Sequence, residues 1–285
     1  MYNIKKQEND IIISGLDDFN LDQTLECGQC FNFYKLNNME YVISAMGMLL
    51  HVSQNEKNIF FHDCSLSDAH RWIYYFDLDR DYGKIKKELI KRAPELKDAI
   101  EDKWGIRILN QEFTETLMSF IISQNKQIPH IKQIVKQLCV LYGEKTGSVY
   151  GTDYYGFPDK NVLSQIGIDG FIKCRTGFRA KYLQDATEKI CNGLSEKTFT
   201  NMKYEEALNK LKEIKGVGDK VANCVLLFSL GYRSAFPVDV WVKRVMEEEY
   251  FHEDTDKEKI MEFAKERFGE YGGYAQQYLF YHRRG

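Results

Sequence analysis

The sequence predicts an α+β protein in which a small antiparallel β-sheet domain precedes a larger, mostly helical body. Between residues 31 and 62, β-branched and aromatic residues alternate with polar residues around short turns, which is typical of β-hairpins. From Ser67 the apolar residues recur at helical spacing, and beyond Trp104 nearly every segment has that period. The change of period predicts a domain boundary near residue 103.

Two hairpins are predicted in the N-terminal domain, residues 1–103. The segment "FNFYKLNNMEYVISAMG" has two β-rich runs around an Asn-Asn turn, and "MLLHVSQNEKNIFFH" repeats this pattern around "QNEKN". Polar turns of this kind between alternating runs favour antiparallel pairing. The segments "SDAHRWIYYFDL" and "YGKIKKELIKR" predict helices that flank the sheet.

The body, residues 104–285, is predicted to be helical. "FTETLMSFIISQ" and "IPHIKQIVKQLCVLYG" are apolar at helical spacing, and Pro129 suits the first turn of the second helix. The stretch 143–160 is predicted to be the main loop. Further helices are predicted at 161–166, 179–192, 204–213, 219–230, 239–250, 255–268 and 273–282.

The composition predicts a soluble, cytoplasmic protein with reduced thiols. The chain has 285 residues, of which 44% are hydrophobic, so it can build a core without disulfides. No apolar run approaches the ~20 residues that span a bilayer, and the N-terminus does not have the pattern of a signal peptide. The seven cysteines are an odd, scattered set. The close pair Cys27 and Cys30 has no second Cys or His pair nearby, so no metal site is expected.

The charge distribution favours the middle of the chain as the part that faces phosphate. The net charge is −3, which by itself gives no indication of nucleic acid binding. Residues 104–248 hold 20 Lys and Arg against 16 Asp and Glu, whereas residues 1–103 hold 13 against 18. An excess of this size also occurs on ordinary solvated surfaces, so it is weak support by itself.

The segment 204–231 predicts a helix, a tight Gly-x-Gly turn and a second helix. Gly216 and Gly218 can both adopt positive φ and leave their amides uncovered. Those amides, together with the positive end of the second helix, suit a phosphate. A hairpin that binds DNA through its main chain needs little net positive charge, which is compatible with the acidic total.

Lys220 lies in the first turn of the second hairpin helix. A cation there opposes the helix dipole, and burial disfavours its charged form, so both effects are expected to lower the pKa of the amine. A lower pKa increases the fraction of neutral, nucleophilic amine. The alternative is an ordinary solvated lysine whose side chain extends to water.

Asp239 is the second candidate catalytic residue. It follows Pro237 in the loop 232–240 and opens the next amphipathic helix. One role is that of an N-cap, which alone accounts for an aspartate at this position. The other is to stabilise positive charge on a sugar or to assist proton transfer at the amine.

The order and spacing of "GVGDK" and "FPVDV" resemble the helix–hairpin–helix DNA glycosylase superfamily, in which a Gly/Pro-rich loop ends in a catalytic aspartate. A lysine at the position of Lys220 resembles the bifunctional members, which form a Schiff base with deoxyribose and cleave the strand. No cysteine follows Cys224, so the iron–sulfur cluster that some lysine-bearing relatives carry is not expected.

Five segments in order are similar to the 8-oxoguanine DNA glycosylase/lyases shared by eukaryotes and some bacteria. They are "SGLDDFNLDQTLECGQCFNFY", "MSFIISQNKQIPHI", "GVGDKVANC", "FPVDVWVKRV" and "YGGYAQQYLF". The resemblance implies excision of 8-oxoguanine from duplex DNA by attack of Lys220 on C1′, followed by β-elimination. It implies no required cofactor, a monomer, and a structural monovalent cation as an option at carbonyls near 214–218.

The resemblance also implies a pocket for the flipped base. Gly28 supplies a main-chain carbonyl that accepts from N7–H of 8-oxoguanine and repels the bare N7 of guanine. Cys224 lies four residues after Lys220 and is expected on the same helix face, where its sulfur can contact one face of the base. Gln276 and Phe280 are likewise four apart, so the amide can bind the base edge while the ring stacks on the other face.

Five further positions concern the DNA duplex. Asn125 resembles the residue inserted in place of the flipped base, and Arg179 matches an arginine near the estranged base. Relatives that require cytosine opposite the lesion have Arg where this chain has His130 and Tyr where it has Phe178. Because His cannot give the bidentate recognition of Arg, relaxed opposite-base selectivity is expected. Trp241 replaces a histidine that contacts phosphate in eukaryotic members.

Two alternatives stay open from the sequence. A glycosylase for another damaged base, such as an alkylated purine, needs an aromatic pocket and no lysine nucleophile. A non-catalytic helix–hairpin–helix protein needs neither Lys220 nor Asp239.

Overall fold

The computed structural model describes residues 2–284 and has one antiparallel sheet of six strands, a small hairpin and a helical body. The sheet has the order β1-β2-β6-β5-β4-β3. Its strands are β1 (Asn3–Gln7), β2 (Asp10–Ser14), β3 (Phe33–Asn37), β4 (Glu40–Ala45), β5 (Met48–Asn55) and β6 (Asn58–His62). The predicted fold class is therefore confirmed.

The two predicted hairpins form with the expected turns. Strands β3 and β4 pair up to Asn37 and Glu40, and strands β5 and β6 pair up to Asn55 and Asn58. The β1–β2 pair, which the sequence analysis did not single out, extends the sheet beyond β6.

The helices follow one another along the rest of the chain. They are α1 (Leu21–Glu26), α2 (Leu66–Tyr75), α3 (Tyr82–Arg92), α4 (Lys97–Asp102), α5 (Phe113–Ile122), α6 (Ile128–Tyr142), α7 (Lys160–Lys173), α8 (Ala180–Cys191), α9 (Tyr204–Lys212), α10 (Asp219–Phe228), α11 (Val240–Met246), α12 (Lys257–Phe268) and α13 (Gly272–Arg284). A π-helical turn at Glu247–Phe251 continues α11, so the predicted helix at 239–250 is present but changes its winding after Met246.

Two hydrophobic clusters form the interior. One joins the inner face of the sheet to α2, where Trp72 and Phe76 are almost fully buried. The other fills the helical body from α5 to α13, and it also takes in Tyr82 and Leu89 from α3. The helices of residues 82–102 thus pack against the helical body although they precede Trp104 in the chain.

Arg107 links the sheet domain to the body. It is 4% exposed, and its guanidinium donates to the carbonyls of Asp18 at 2.9 Å and Asp77 at 2.6 Å. The same group lies 4.4 Å from the ring centroid of Tyr82. A buried cation is tolerated only where its donors are satisfied, so these contacts fix the segment that leads into α5.

The prediction that 143–160 is a loop is wrong in part. Residues Lys145–Val149 and Thr152–Tyr155 form strands β7 and β8 of a hairpin. The hairpin is held by tertiary contacts, since the hydroxyls of Thr146 and Ser44 lie 3.0 Å apart. Tyr150 at its tip donates to Glu40 at 3.2 Å. A two-stranded hairpin is marginal alone, which is why its own sequence gave a weak signal.

Helix α7 is longer than predicted. The expected helix at 161–166 ends at Gly167, which has φ 63° and ψ 176°. The chain then resumes helical geometry to Lys173. Because glycine reaches positive φ without a steric penalty, it permits a kink here rather than a stop.

Candidate active site

A cavity of about 710 Å³, here called the central cavity, opens between the ends of several helices and the loop after α1. It brings together residues that are far apart in the sequence. Of the residues selected from the sequence, those on its wall are Gly28, Asn125, Gly218, Lys220, Asp239, Trp241 and Phe280.

Lys220 is the second residue of α10, and its side chain is half-buried. Its Nζ lies 3.0 Å from Oγ of Ser123 and 5.0 Å from the ring centroid of Phe120. The Ser123 hydroxyl donates its proton to the carbonyl of Phe120 at 2.8 Å, so its lone pair faces Lys220 and accepts from the amine. This arrangement fixes the direction of the amine at the cavity wall.

Asp239 is the N-cap of α11. Its Oδ1 accepts from the amide of Val242 at 2.8 Å, as the capping prediction required. Within residues 2–284 its Oδ2 accepts no hydrogen bond, so one carboxylate oxygen is held while the other remains available. Lys220 and Asp239 line the same cavity.

Gly28 lies where no other residue fits without strain. Its φ is +83°, a region that residues with a side chain rarely adopt. A Cβ at this position would lie 2.6 Å from Cδ1 of Ile128 and 3.6 Å from Cε1 of Phe280. The main chain at Gly28 therefore comes close to the cavity because glycine has no side chain.

Gln29 anchors the Gly28 turn, and sequence reasoning missed it. It is fully buried, and its Nε2 donates to the carbonyls of Thr24 at 2.8 Å and Arg107 at 2.7 Å. Its Oε1 accepts from the amide of Leu109 at 2.9 Å. The only signal was a polar residue next to a candidate glycine. Two of its three partners, Arg107 and Leu109, lie 78 and 80 residues away.

Two family models match consecutive parts of the chain. Residues 5–117 match the N-terminal domain of 8-oxoguanine DNA glycosylase, and residues 118–270 match the HhH-GPD superfamily base excision DNA repair protein. The second match alone covers more than half of the chain.

This chain belongs to the HhH-GPD superfamily of base excision DNA repair proteins.

Individual relatives agree with this assignment. The N-glycosylase/DNA lyase of Saccharomyces cerevisiae is 30% identical, over 91% of this chain and 82% of its own. The solved structure of MBOgg1 in complex with a low-affinity DNA ligand has a TM-score of 0.96 and 40% identity, and the match covers 100% of this chain and 98% of that one. Clostridium acetobutylicum 8-oxoguanine glycosylase/lyase, bound to duplex DNA containing cytosine opposite 8-oxoG, has a TM-score of 0.95 and 38% identity, with 99% and 97% covered.

Two predicted base-binding residues of this HhH-GPD protein are buried and are not among the residues that line the central cavity. Cys224 is 3% exposed and Gln276 is 5% exposed, and Gln276 accepts from the side chain of Gln277 at 3.1 Å. Burial raises the pKa of the Cys224 thiol to about 11, while Lys220 acts in the opposite direction. The thiol is therefore neutral near pH 7.

The two hairpin glycines differ, since both can adopt positive φ but only Gly216 does. Gly216 has φ +78°, and a Cβ there would run into the ring of Tyr182. Gly218 is extended, with φ −100°, and is the N-cap of α10 with no side chain to cap it. A Cβ at Gly218 meets nothing within 4 Å. Gly216 is thus required by packing, whereas Gly218 leaves the start of α10 uncovered.

The residues predicted to meet the duplex do not share one environment. Asn125 and His130 are exposed, Phe178 is 56% exposed and Trp241 is 49% exposed. Arg179 is different, since it is only 3% exposed. The sequence analysis assigned all five to the binding of DNA.

Within residues 2–284, no three His, Cys, Asp or Glu side chains are grouped as a metal site would need. In that same part of the chain, no helix has the length and apolar character to cross a membrane.

Gly28→Ala is predicted to lower the rate of 8-oxoguanine excision by about tenfold or more. The new Cβ needs a strained φ and displaces Ile128 at the cavity, and small displacements at a reacting centre are costly. Single-turnover excision of the base from a defined duplex measures the effect.

Gly47→Ala is the matched control for this change. Gly47 has φ +67°, so alanine there meets similar backbone strain, but nothing lies within 4 Å of its Cβ. Equal losses of excision in the two variants would show that crowding at the cavity is not the cause.

Proposed function

We infer that this chain removes 8-oxoguanine from duplex DNA and then cleaves the strand at the abasic site. The observation that carries this proposal is Lys220, a half-buried amine held by Ser123 on the wall of a cavity that Gly28 and Asp239 also line. The relatives named N-glycosylase/DNA lyase and 8-oxoguanine glycosylase/lyase support it.

The chemistry proposed for Lys220 is nucleophilic. The lone pair of neutral Nζ attacks C1′ of the flipped nucleotide, the C1′–N9 bond breaks, and its electron pair leaves with the base, which takes up a proton. The amine then loses one proton, the C1′–O4′ bond breaks, O4′ takes up a proton, and a protonated imine forms between Nζ and C1′. Loss of a C2′ proton then expels the 3′ phosphate by β-elimination.

Asp239 is proposed to stabilise the positive charge that develops on the sugar. A carboxylate held by a helix amide needs no reorganisation as that charge forms, which is the condition for effective electrostatic stabilisation. Its second oxygen is also available for proton transfer at the amine.

Base selection is proposed to rest on the main chain at Gly28. A carbonyl next to N7 attracts the N7–H of 8-oxoguanine and repels the lone pair of guanine N7. A polar contact left unmatched costs about 1–3 kcal/mol, so this one group can supply much of the discrimination. Cys224 and Phe280 are proposed to contact the two faces of the base, and Gln276 its edge.

Backbone phosphates are proposed to contact the hairpin amides and two lysines at the cavity. Lys126 and Lys257 are exposed residues of the cavity wall, and neither takes part in an ion pair within residues 2–284. Lys257 also lines an adjoining cavity of about 570 Å³ beside Gly218. By contrast, Lys212 nearby is paired with Asp219 at 2.6 Å. Lys257 can thus provide a phosphate contact near Trp241.

We also propose that the protein is a cytoplasmic monomer. The carbonyls near 214–218 can bind a structural monovalent cation. A glycosylase for alkylated purines is disfavoured because it needs no lysine nucleophile, and a non-catalytic binding protein needs no amine held in a cavity.

Lys220→Gln is predicted to abolish the covalent adduct that borohydride traps on an 8-oxoguanine duplex, because the amide cannot form an imine. Lys87→Gln on α3 is the control, since Lys87 is exposed and has no ion pair within the described chain. An adduct that persists in Lys220→Gln would refute the lysine mechanism. Absence of an adduct with the wild-type chain would refute the lyase assignment.

Excision is predicted to vary by less than about tenfold among duplexes with C, A, G or T opposite the lesion. His130 and Phe178 are exposed, and neither side chain has the paired donors of an arginine. The difference in binding free energy between opposite bases should therefore not exceed that of one weak hydrogen bond. Single-turnover rates on the four duplexes test this. A strict cytosine requirement would show the expectation to be wrong.

Lys257→Gln is predicted to weaken binding to damaged and undamaged duplexes alike. Loss of one phosphate contact should reduce the slope of log K against log salt concentration by about 1. Fluorescence anisotropy at several salt concentrations measures this slope, with Lys87→Gln as the control. An unchanged slope would show that Lys257 does not contact a phosphate.

A further inference from the structure

Asp185 lies on α8 and holds the main chain of the hairpin turn, residues 213–218. The amide of Lys215 donates to its Oδ2 at 2.8 Å, across 30 residues of sequence. Lys189 donates to the same oxygen at 2.6 Å, and Nζ of Lys215 lies 3.7 Å from Oδ1. Asp185 is only 8% exposed. A buried carboxylate is tolerated where donors replace the lost water, and here one of those donors belongs to the main chain of the turn.

Tyr182 contacts the same turn from one helical turn earlier on α8. A Cβ at Gly216 would lie 2.3 Å from Cδ2 of Tyr182, so the ring packs directly against that glycine. Residues one turn apart share a face of a helix, and Tyr182 and Asp185 therefore face the hairpin turn together. Helix α8 thus fixes the turn by packing at Gly216 and by a hydrogen bond at the preceding residue, Lys215.

The remaining amides of the hairpin turn are bonded within the hairpin or free. Those of Ile214 and Val217 donate to hairpin carbonyls at 3.1 and 3.0 Å. Within residues 2–284, the amides of Gly216 and Gly218 donate no hydrogen bond. They are the amides proposed above to contact phosphate. Their direction depends on the neighbouring peptide planes, and the bond from Lys215 to α8 holds one of those planes.

A carboxylate is unfavourable beside a surface that is proposed to bind DNA, because its charge repels phosphate. Burial by itself raises the pKa of the Asp185 carboxyl, but the hydrogen bonds from Lys189 and from the Lys215 amide outweigh it and hold the pKa below its ordinary value. Asp185 is therefore ionised near pH 7. Since phosphate is also an anion, DNA does not compete for the donors by binding Asp185 itself, and the contact with the turn is compatible with bound DNA.

We propose that Asp185 is a positioning residue that holds the Lys215 amide and thereby presents the free amides of Gly216 and Gly218 to a backbone phosphate. Its effect is on the binding of DNA and not on the chemistry at Lys220. This inference rests on the proposed function, because it assigns a role in the DNA binding that precedes excision.

The first test separates the acceptor of Asp185 from its charge. Asp185→Asn and Asp185→Ala remove the same negative charge, but only asparagine keeps an oxygen that can accept from the Lys215 amide. Alanine has the highest helix propensity, so α8 itself should not be destabilised. Glu188→Ala is the control for charge, since Glu188 is exposed on the same helix and its side chain accepts from Gln184.

Binding of an undamaged duplex should distinguish these variants. Loss of a negative charge favours binding to a polyanion, so Asp185→Asn and Glu188→Ala should bind at least as tightly as the wild type. Asp185→Ala should bind roughly threefold to tenfold more weakly, because only a fraction of its molecules has the turn in the binding geometry. Fluorescence anisotropy at one fixed salt concentration measures the dissociation constants.

Single-turnover excision of 8-oxoguanine separates binding from chemistry. At low protein concentration, Asp185→Ala should be slower in proportion to its weaker binding. At saturating concentration, its rate should come within about twofold of the wild-type rate, because the hydrogen bond from Lys220 to Ser123 is untouched. A rate that stays low at saturation would show a general disturbance of the fold and would overturn the proposal.

Amide hydrogen exchange of the DNA-free protein, followed by NMR, reports on the bond itself. The Lys215 amide should exchange faster in Asp185→Ala and stay protected in Asp185→Asn, while the amides of α10 should exchange as in the wild type. Thermal unfolding is measured for each variant. If Asp185→Ala does not fold, Asp185→Ser takes its place, since its shorter side chain does not reach the amide.

Two further results would overturn the inference. Equal affinities of Asp185→Ala and Asp185→Asn would show that only the charge matters, as in a simple ion pair with Lys189. Unchanged exchange of the Lys215 amide in Asp185→Ala would show that the turn does not depend on this acceptor. A wild-type protein that fails to excise 8-oxoguanine would instead refute the proposed function, and the binding and exchange tests would still apply.

Discussion

The hydrogen bond from Lys220 to Ser123 joins the two parts of the chain on which the site depends. It connects the start of α10 to the end of α5, and these helices pack against each other in the core. Because the Ser123 hydroxyl donates its own hydrogen bond to the carbonyl of Phe120, it accepts the hydrogen bond from Lys220. This bond holds the amine beside the turn at residues 123–126, and the proposed attack on C1′ depends on such pre-set geometry.

The sheet domain serves the same site from the other side. Its contribution is the Gly28 turn, and that turn is fixed by Gln29 and Arg107, whose polar groups are satisfied by main-chain partners. Buried polar groups of this kind are costly when one partner is lost, so they specify a single arrangement. The domain thus acts as a rigid support for one glycine.

Sequence reasoning succeeded where the signal is local. The hairpins, the helices of the body, and the cap at Asp239 follow from turn residues, periodicity and an N-cap preference. It failed where a tertiary contact decides the outcome. The β7–β8 hairpin is held by a contact with Ser44. In the helix–hairpin–helix segment, Gly218 is extended because it begins α10. Gly216 has positive φ and packs beneath Tyr182.

The sequence by itself determined the family and the fold class and indicated Lys220 and Asp239 as candidates, because these rest on motifs whose residues are close in the chain. Only the tertiary structure decided how Gln29 and Ser123 contribute to the site. Gln29 donates to the carbonyl of Arg107, 78 residues away in the sequence, and Ser123 accepts from Lys220, 97 residues away. No local pattern records such a partner, since it is created when the segments pack together.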